Sequence, residues 1–270
     1  GTIQSTFTNF GYLRKRWQNN TEEERLLGVS LTGIMDSIEL NTINGLEPRL
    51  KRLKEEAVDT NKTLAKKLGI PQSTAITCVK PSGTVSQLVD SASGIHARHN
   101  PYYIRTVRGD NKDPLTEFMI ASGVPNEPDI TKPEHTTVFS FPMSAPKGSV
   151  CRTDMTAIKQ LEIWKVYAKH WCEHKPSVTI SVKEDEWVPV GAWCWENFEH
   201  LSGVSFLPFS DHTYQQAPYQ DIDEDTYKKL VKAMPKEIDW KKLQDFEKED
   251  NTKGSQELAC TAGVCELVDI

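Results

Sequence analysis

A basic excess is missing from this sequence. Across 270 residues, 32 lysines and arginines stand against 38 acidic residues, a formal net charge of -6. A general nucleic-acid or membrane-surface binder would carry the opposite balance. Long apolar runs are missing too: none approaches the roughly 20 residues of a membrane span. The opening GTIQSTFTNF has neither the basic start nor the apolar centre of a secretory leader. Cysteine is sparse, six in the whole chain, too few for a secreted disulfide framework, which predicts reduced thiols. Together these absences predict a soluble cytoplasmic protein with no nucleic-acid or membrane partner. The first residue is Gly1, and apolar residues follow at once without a cap, which predicts the C-terminal part of something longer.

What is present centres on Thr74 to Ser86, TAITCVKPSGTVS. Ala75, Ile76, Cys78 and Val79 form a short run with strand character that stops at Pro-Ser-Gly-Thr, after which Val85, Leu88 and Val89 resume at helical spacing. A strand, a small-residue loop and a helix start make an anion pocket: glycine allows close approach, hydroxyls donate, and the first helical N–H groups are unpaired. The candidate phosphate-binding residues are Pro81, Ser82, Gly83, Thr84, Val85 and Ser86. An ordinary capped strand-to-helix turn has the same local pattern.

Elsewhere the periodicity predicts helices over 2–17 and 21–38, the second opening on a Thr21/Glu24 capping box and packing closely at Gly28 and Gly33. A long amphipathic helix carries Leu46, Leu50, Leu53, Ala57, Leu64 and Leu68, with Gly69 past its end. Strands are predicted over 102–107, 136–143, 176–182 and 204–207, and helices over 113–122, from Thr153 or Asp154 to about His174, in the second part of 187–201, and over 223–234. Strands alternating with helices predict parallel pairing and the α/β class. His96, His99, Arg98, Arg105 and Arg108 are candidates to neutralise a bound phosphate or are plain surface groups. The aromatic and amide loop 208–222 suits a ligand surface or a core cover. His170 and His174 have the i, i+4 spacing of a metal pair, which helix-end histidines share without any metal.

From Asp245 the sequence turns to KEDNTKGSQE, a composition that predicts a flexible linker. The expected division is therefore 1–244 and a tail of 245–270. The tail carries Cys260-Thr261-Ala262-Gly263-Val264-Cys265. A mobile cysteine pair makes sense for thiol exchange, since about 13 linker residues give a reach of roughly 20 Å. A two-cysteine metal half-site or an accidental pair are the other readings. Cys78, Cys151, Cys172 and Cys194 lie beside apolar or aromatic residues, as small buried thiols do.

Several stretches together resemble the monomeric, adenosylcobalamin-dependent class of ribonucleotide reductase. They are Gly28-Val29-Ser30-Leu31-Thr32-Gly33, Lys80 to Ser86, Ser93-Gly94-Ile95-His96, Pro176-Ser177-Val178-Thr179, Gly203 to Pro208, Gln216-Ala217-Pro218-Tyr219 and the terminal Cys260 to Cys265. The resemblance implies the C-terminal half of a ten-stranded α/β barrel, with residues 81–86 holding the phosphates of a ribonucleoside triphosphate. It implies adenosylcobalamin as cofactor, with no contact assigned to a residue here. It also implies that Cys260 and Cys265 shuttle electrons from a thioredoxin-type reductant to an active-site disulfide. The family's Asn-Pro-Cys-Gly-Glu type radical motif does not occur in these residues. The segment is then expected to be inactive alone and to need the missing N-terminal half as partner. A stand-alone phosphate-binding or thiol-exchange protein without radical chemistry is the rival reading.

Overall fold

The computed structural model describes residues 1–209 and 214–247, and the backbone of 258–261 and 264–267. In chain order its regular elements begin with α1 (Lys15–Glu24), β1 (Val29–Ser30), α2 (Ile38–Asn41), α3 (Leu46–Leu68), β2 (Thr77–Cys78) and α4 (Val85–Leu88). Next come β3 (Tyr102–Asp110), α5 (Pro114–Ala121), β4 (Asn126–Pro128), β5 (Thr136–Ser144), α6 (Ala157–His170), β6 (Val178–Val182) and α7 (Trp187–Glu196). The series closes with β7 (Val204–Pro208), β8 (Tyr219–Asp221), α8 (Glu224–Ala233), β9 (Leu258–Thr261) and β10 (Val264–Leu267). No helix among the described residues is long and apolar enough to cross a membrane.

Two compact units emerge. The first comprises Gly1–Pro101 with Ser144–His212, the second Tyr102–Met143 with Thr213–Ile270. In the first, β1 pairs with β2 and β6 with β7, both in parallel. Its core gathers Ile34, Met35, Leu46, Leu50, Val79, Ile95, Leu161, Trp164, Tyr167 and Ile180, all sealed from solvent. Each large side chain so buried contributes about 1.5–3 kcal/mol. Long α3 supplies Leu46 and Leu50 and packs on α6. The polar tips on α6 are satisfied: Tyr167 Oη donates to the Leu40 carbonyl at 2.9 Å, and beyond the helix end Trp171 Nε1 donates to the Cys78 carbonyl at 2.7 Å.

The second unit holds a four-stranded sheet in the order β4-β5-β3-β8, with β3–β8 and β4–β5 antiparallel. This corrects the expectation of parallel pairing throughout; β3 and β8 are brought together by a long return of the chain, not by a crossover helix. The α/β class holds, and no sheet among the described residues closes on itself.

The N-terminal expectation fails in an instructive way. Residues 2–17 hold only a short 3₁₀ turn and the start of α1, and the helix expected over 21–38 ends at Glu24. Arg25 takes a left-handed conformation, and Val29–Ser30 leaves to pair with Thr77–Cys78. Thr21 is not a cap but the residue whose carbonyl accepts the Arg25 N–H at 2.9 Å. Gly33, at φ +70°, turns the chain back into the core. The expected cap of α6 also moves, to Thr156, whose side chain accepts from the Lys159 N–H. Residues 248–257, the linker of the expected tail, lie outside the described residues.

Candidate functional site

The Ser82 loop begins where β2 ends. Val79 is buried and its carbonyl accepts the Ser177 N–H at 3.0 Å. At the next residue the chain is gripped from both ends: the Lys80 N–H donates to Ser30 Oγ at 3.0 Å, and Lys80 Nζ donates to the Lys175 carbonyl at 2.8 Å and Ser177 Oγ at 2.9 Å. Both acceptors of the ammonium are uncharged, so its positive charge is left to act on whatever comes near.

Inside the loop, two amides are pinned and three are open. The Ser82 N–H donates to Ser93 Oγ at 2.7 Å, and the Ser86 N–H donates to Ser82 Oγ at 3.0 Å. Ser86 is buried, and its hydroxyl donates to the Ser82 carbonyl. Between these anchors the N–H groups of Gly83, Thr84 and Val85 find no acceptor among the described residues. Gly83 is exposed, has no positive φ, and a Cβ built on it would meet nothing within 4 Å. The fold itself does not require glycine there; the space in front of it is open. Helix α4 runs only over Val85–Leu88, and Thr84 at its N-cap makes no side-chain cap hydrogen bond; the Ser86 N–H is taken up by Ser82 Oγ instead.

Behind the loop stands Ser93 to His96. Gly94, at φ +53°, brings its backbone so close that a Cβ would lie 3.3 Å from the Lys80 carbonyl oxygen. His96 Nδ1 lies 2.9 Å from the Ser93 carbonyl, and the Thr179 N–H donates to His96 Nε2 at 3.0 Å. A backbone N–H can only donate, so Nε2 is bare and the proton sits on Nδ1. Burial pushes the imidazole below its usual value near 6.5, against a smaller raising effect of the Ser93 carbonyl. His96 is therefore a neutral link and not a phosphate counter-charge. Because the folded group titrates below the unfolded one, the stability it confers is complete above about pH 6.5 and is lost as pH falls through the folded value. Urea denaturation should show stability declining on acidification below that point, with a shallower decline in His96→Gln; identical slopes would refute the assignment.

The arginines are also committed elsewhere. Arg98, 4% exposed, makes a forked ion pair with Asp36, its Nε 2.9 Å from Oδ1 and its Nη2 2.9 Å from Oδ2. Its Nη1 reaches Asp90 Oδ1 at 2.9 Å. Burial alone would raise the Asp36 carboxyl, but hydrogen bonds from Arg98, the Ala92 N–H and Ser149 outweigh it and hold it below the ordinary carboxylate value. Arg105 and Arg108 belong to the second unit, where Arg105 lies 4.4 Å over the Tyr219 ring and Arg108 Nε bonds Asp129 at 2.8 Å. Nor does the segment around Gln216 offer free amides. Gln216, buried and at φ 56°, donates to Glu127 Oε1 and the Pro128 carbonyl and accepts the Ile130 N–H. It serves as a strut of the sheet; residues 210–213 of the expected ligand loop lie outside the described residues.

His170 Nε2 is 3.7 Å from Glu47, and His174 Nε2 bonds the Leu27 carbonyl at 2.7 Å, so the two histidines have separate structural partners. Burial raises the thiols of Cys78, Cys151 and Cys194, and pushes that of Cys172 up to about 12. As protonated thiols these four are poor nucleophiles. In the tail, β9 and β10 pair antiparallel with Cys260 opposite Cys265.

Comparison with known proteins gives this geometry a context. The chain is 29% identical over 248 residues, 90% of its length and 32% of the other's, to a Dictyostelium discoideum protein named "Probable adenosylcobalamin-dependent ribonucleoside-triphosphate reductase". The adenosylcobalamin-dependent ribonucleoside-triphosphate reductase of Euglena gracilis is 29% identical over 82% of this chain and 31% of its own. That of Lactobacillus leichmannii is 27% identical over 80% and 30%. This chain resembles the adenosylcobalamin-dependent ribonucleoside-triphosphate reductases. It spans about a third of the length of the relatives it matches, as fits a C-terminal portion. A crystal structure of a B-12 dependent (class II) ribonucleotide reductase superposes on 85% of this chain and 36% of its own, with a TM-score of 0.74 and 23% identity, which shows a shared fold. No family model matches the chain.

Most of the stretches that carry the reductase resemblance meet in the first unit. Ser30, the Lys80–Ser86 loop, Ser93–His96 and Ser177–Thr179 form one hydrogen-bonded cluster, and Ser205 Oγ lies 3.0 Å from Thr179 Oγ1. The stretch around Gln216 belongs to the second unit, where Gln216 braces the sheet. Sequence reasoning missed the Asp36–Arg98 pair, whose partners stand 62 residues apart and carry no local signal.

Proposed function

We propose that this chain is the C-terminal portion of a cytoplasmic ribonucleotide reductase that reduces ribonucleoside triphosphates with adenosylcobalamin as cofactor, and that it forms part of a ten-stranded α/β barrel. The observation that carries the reading is the reductase likeness along 80–90% of the chain, coinciding with a loop in which the N–H groups of Gly83, Thr84 and Val85 have no acceptor among the described residues and Gly83 borders open space. In this reading Gly83, Thr84 and Val85 donate to the substrate phosphates, Ser82 and Thr84 add hydroxyls, Pro81 and Ser86 set the ends of the cradle, and Lys80 adds positive potential. Charge-assisted bonds of this kind orient the ribose without touching it.

Adenosylcobalamin would supply the radical when bound. A cavity of about 540 Å³ lined by Gly1, Gln4, Ser5, Phe7, Thr21, Leu27 and Val29 carries no histidine and no charged side chain, so no contact and no step is assigned to it. The family's Asn-Pro-Cys-Gly-Glu type motif is absent from these residues, so in this reading the radical cysteine and its glutamate come from the N-terminal half of the same enzyme, joined to this chain or paired with it. Cys260 and Cys265 serve as the electron shuttle. Their two thiols give two electrons and two protons to an active-site disulfide, become a disulfide themselves, and are reduced in turn by a thioredoxin-type partner. Directly opposed residues of an antiparallel pair have Cα atoms about 4.5–5.5 Å apart, within the span that a disulfide bridges.

The test is turnover with two reductants in enzyme reconstituted by supplying the missing two thirds in trans. The chain alone should be inactive. Gly83→Val should raise the substrate KM about 10- to 100-fold, the value of one or two charge-assisted hydrogen bonds. Cys260→Ser with Cys265→Ser should abolish turnover with thioredoxin while sparing turnover with a small dithiol. Equal loss with both reductants would remove the shuttle, an unchanged KM would remove the cradle, turnover by the chain alone would remove its dependence on the missing part, and no turnover even in the reconstituted enzyme would favour the stand-alone protein without radical chemistry.

A further inference from the structure

To serve as a phosphate cradle, the Ser82 loop must hold its three unpaired amides in one conformation. Glycine and small residues are permissive; left alone, such a loop samples many conformations and would lose affinity to the cost of ordering. Something must fix it: Ser30 and Ser177 hold Lys80 ahead of the loop, the Ser91 N–H holds the Ser86 carbonyl, and Ser93 holds the Ser82 amide at the edge of the open run.

We propose that Ser93 and His96 are positioning residues that hold the Ser82 loop in its ligand-ready shape, an inference that rests on the cradle reading above. The run of open amides at 83–85 is bounded at its start by the Ser82 N–H, and the acceptor of that N–H is Ser93 Oγ at 2.7 Å. The carbonyl of the same serine is held by His96 Nδ1 at 2.9 Å, and the far nitrogen of His96 is held by the Thr179 N–H at 3.0 Å. Thr179 lies in β6, where it pairs with Ser205 of β7. The loop is thus tied through two side chains to a regular strand. Between them Gly94 presses on the Lys80 carbonyl, and Ile95 is sealed in the core with its own carbonyl bonded by Gln160 Nε2 at 2.8 Å. Each residue of Ser93-Gly94-Ile95-His96 has a separate task in the same bracket. An imidazole suits its place because it donates from one edge and accepts on the other, spanning two backbone groups that no single hydroxyl could reach.

A residue that merely stabilised the fold would change the unfolding midpoint; a positioning residue must change the loop. The experiment therefore uses the 270-residue chain and reads amide hydrogen exchange at Ser82 and Ser86 by NMR, alongside calorimetric titration with inorganic triphosphate. In Ser93→Ala, exchange at Ser82 should accelerate about tenfold or more and the triphosphate Kd should rise about tenfold, the scale of one hydrogen bond. Ser93→Thr, which keeps the hydroxyl, should restore both. His96→Leu should reproduce the loss, and His96→Gln, whose amide both donates and accepts, should recover part of it. Unchanged exchange at Ser82 and unchanged affinity in both Ser93→Ala and His96→Leu would overturn the proposal. If the wild-type chain and Gly83→Val both fail to bind triphosphate, the cradle reading falls, and the bracket is then judged by Ser82 exchange alone, where protection lost in Ser93→Ala and regained in Ser93→Thr still supports it.

Discussion

Arg98→Met is expected to cost about 3–5 kcal/mol of stability, the usual consequence of removing one partner from a buried ion pair. The arginine is 4% exposed and the Asp36 side chain 15%, so the carboxylate left behind cannot turn to water. It would retain the Ala92 N–H at 2.7 Å and Ser149 Oγ at 2.9 Å, but no positive charge. The same guanidinium holds Asp90, a non-glycine residue at φ 46°, through its side chain and its carbonyl. Losing it frees a strained backbone position at the end of the Ser82 segment as well. Arg98→Lys should recover little, since an ammonium cannot repeat the fork. Asp36→Asn in the Arg98→Met background should recover part of the loss by removing the stranded charge. Because hydrogen bonds hold the Asp36 carboxyl below its ordinary value of 3.8 in the wild type, the stability it contributes is present above that value and lost as pH falls through the folded one. In Arg98→Met burial acts on the carboxyl without its counter-charge, so the deficit should shrink once acid neutralises Asp36. Urea denaturation of the three variants at neutral and acid pH checks this, and a deficit under about 1 kcal/mol at neutral pH would place Arg98 among ordinary surface ion pairs.

That ion pair also marks the limit of what the sequence could reveal. Helices with a full amphipathic stripe and a terminal signal were legible: α3 ends at Gly69 in the left-handed conformation, and α8 opens on Asp223, whose side chain accepts the Thr226 N–H. Strands β3, β5, β6 and β7 fell close to their expected bounds for the same local reasons. What failed depended on distant partners. Val29 and Ser30 sit in a helix-like pattern, yet their backbone pairs with Thr77 and Cys78, and nothing within several residues of Val29 encodes that. The second unit's antiparallel sheet was invisible to a rule built on alternation, because β8 returns to β3 from more than a hundred residues away. In the candidate site, the Ser82 loop was readable as a loop with hydroxyls and glycine, and the order of motifs pointed to the reductases. The charge reading was not: His96 and Arg98 look like cations in sequence, and only packing makes one neutral and the other fully paired.

Gly203→Ala should be the other severe variant, at about 3–5 kcal/mol, from a left-handed penalty of about 1–2 kcal/mol plus a collision with backbone. Gly203 has φ +64°, and a Cβ there would sit 2.6 Å from the Pro176 carbonyl oxygen and 3.5 Å from the Ser177 Cα. Neither neighbour can rotate away. The Pro176 carbonyl also accepts Trp164 Nε1 at 3.3 Å, and the Gly203 carbonyl accepts the Val178 N–H at 2.9 Å, so separating the two segments would disturb the start of the β6–β7 pairing and a core tryptophan together. The damage would reach the Ser82 loop, because Ser177 holds Lys80 and Thr179 holds His96. Gly83→Ala is the informative contrast. With no positive φ and nothing within 4 Å of the added carbon, it should shift the unfolding midpoint by no more than the roughly 0.5 kcal/mol of a surface change. Urea denaturation of the two variants side by side separates a glycine that the fold needs from one that a ligand would need; equal stability would mean that the backbone around Pro176 yields far more easily than its hydrogen bonds imply.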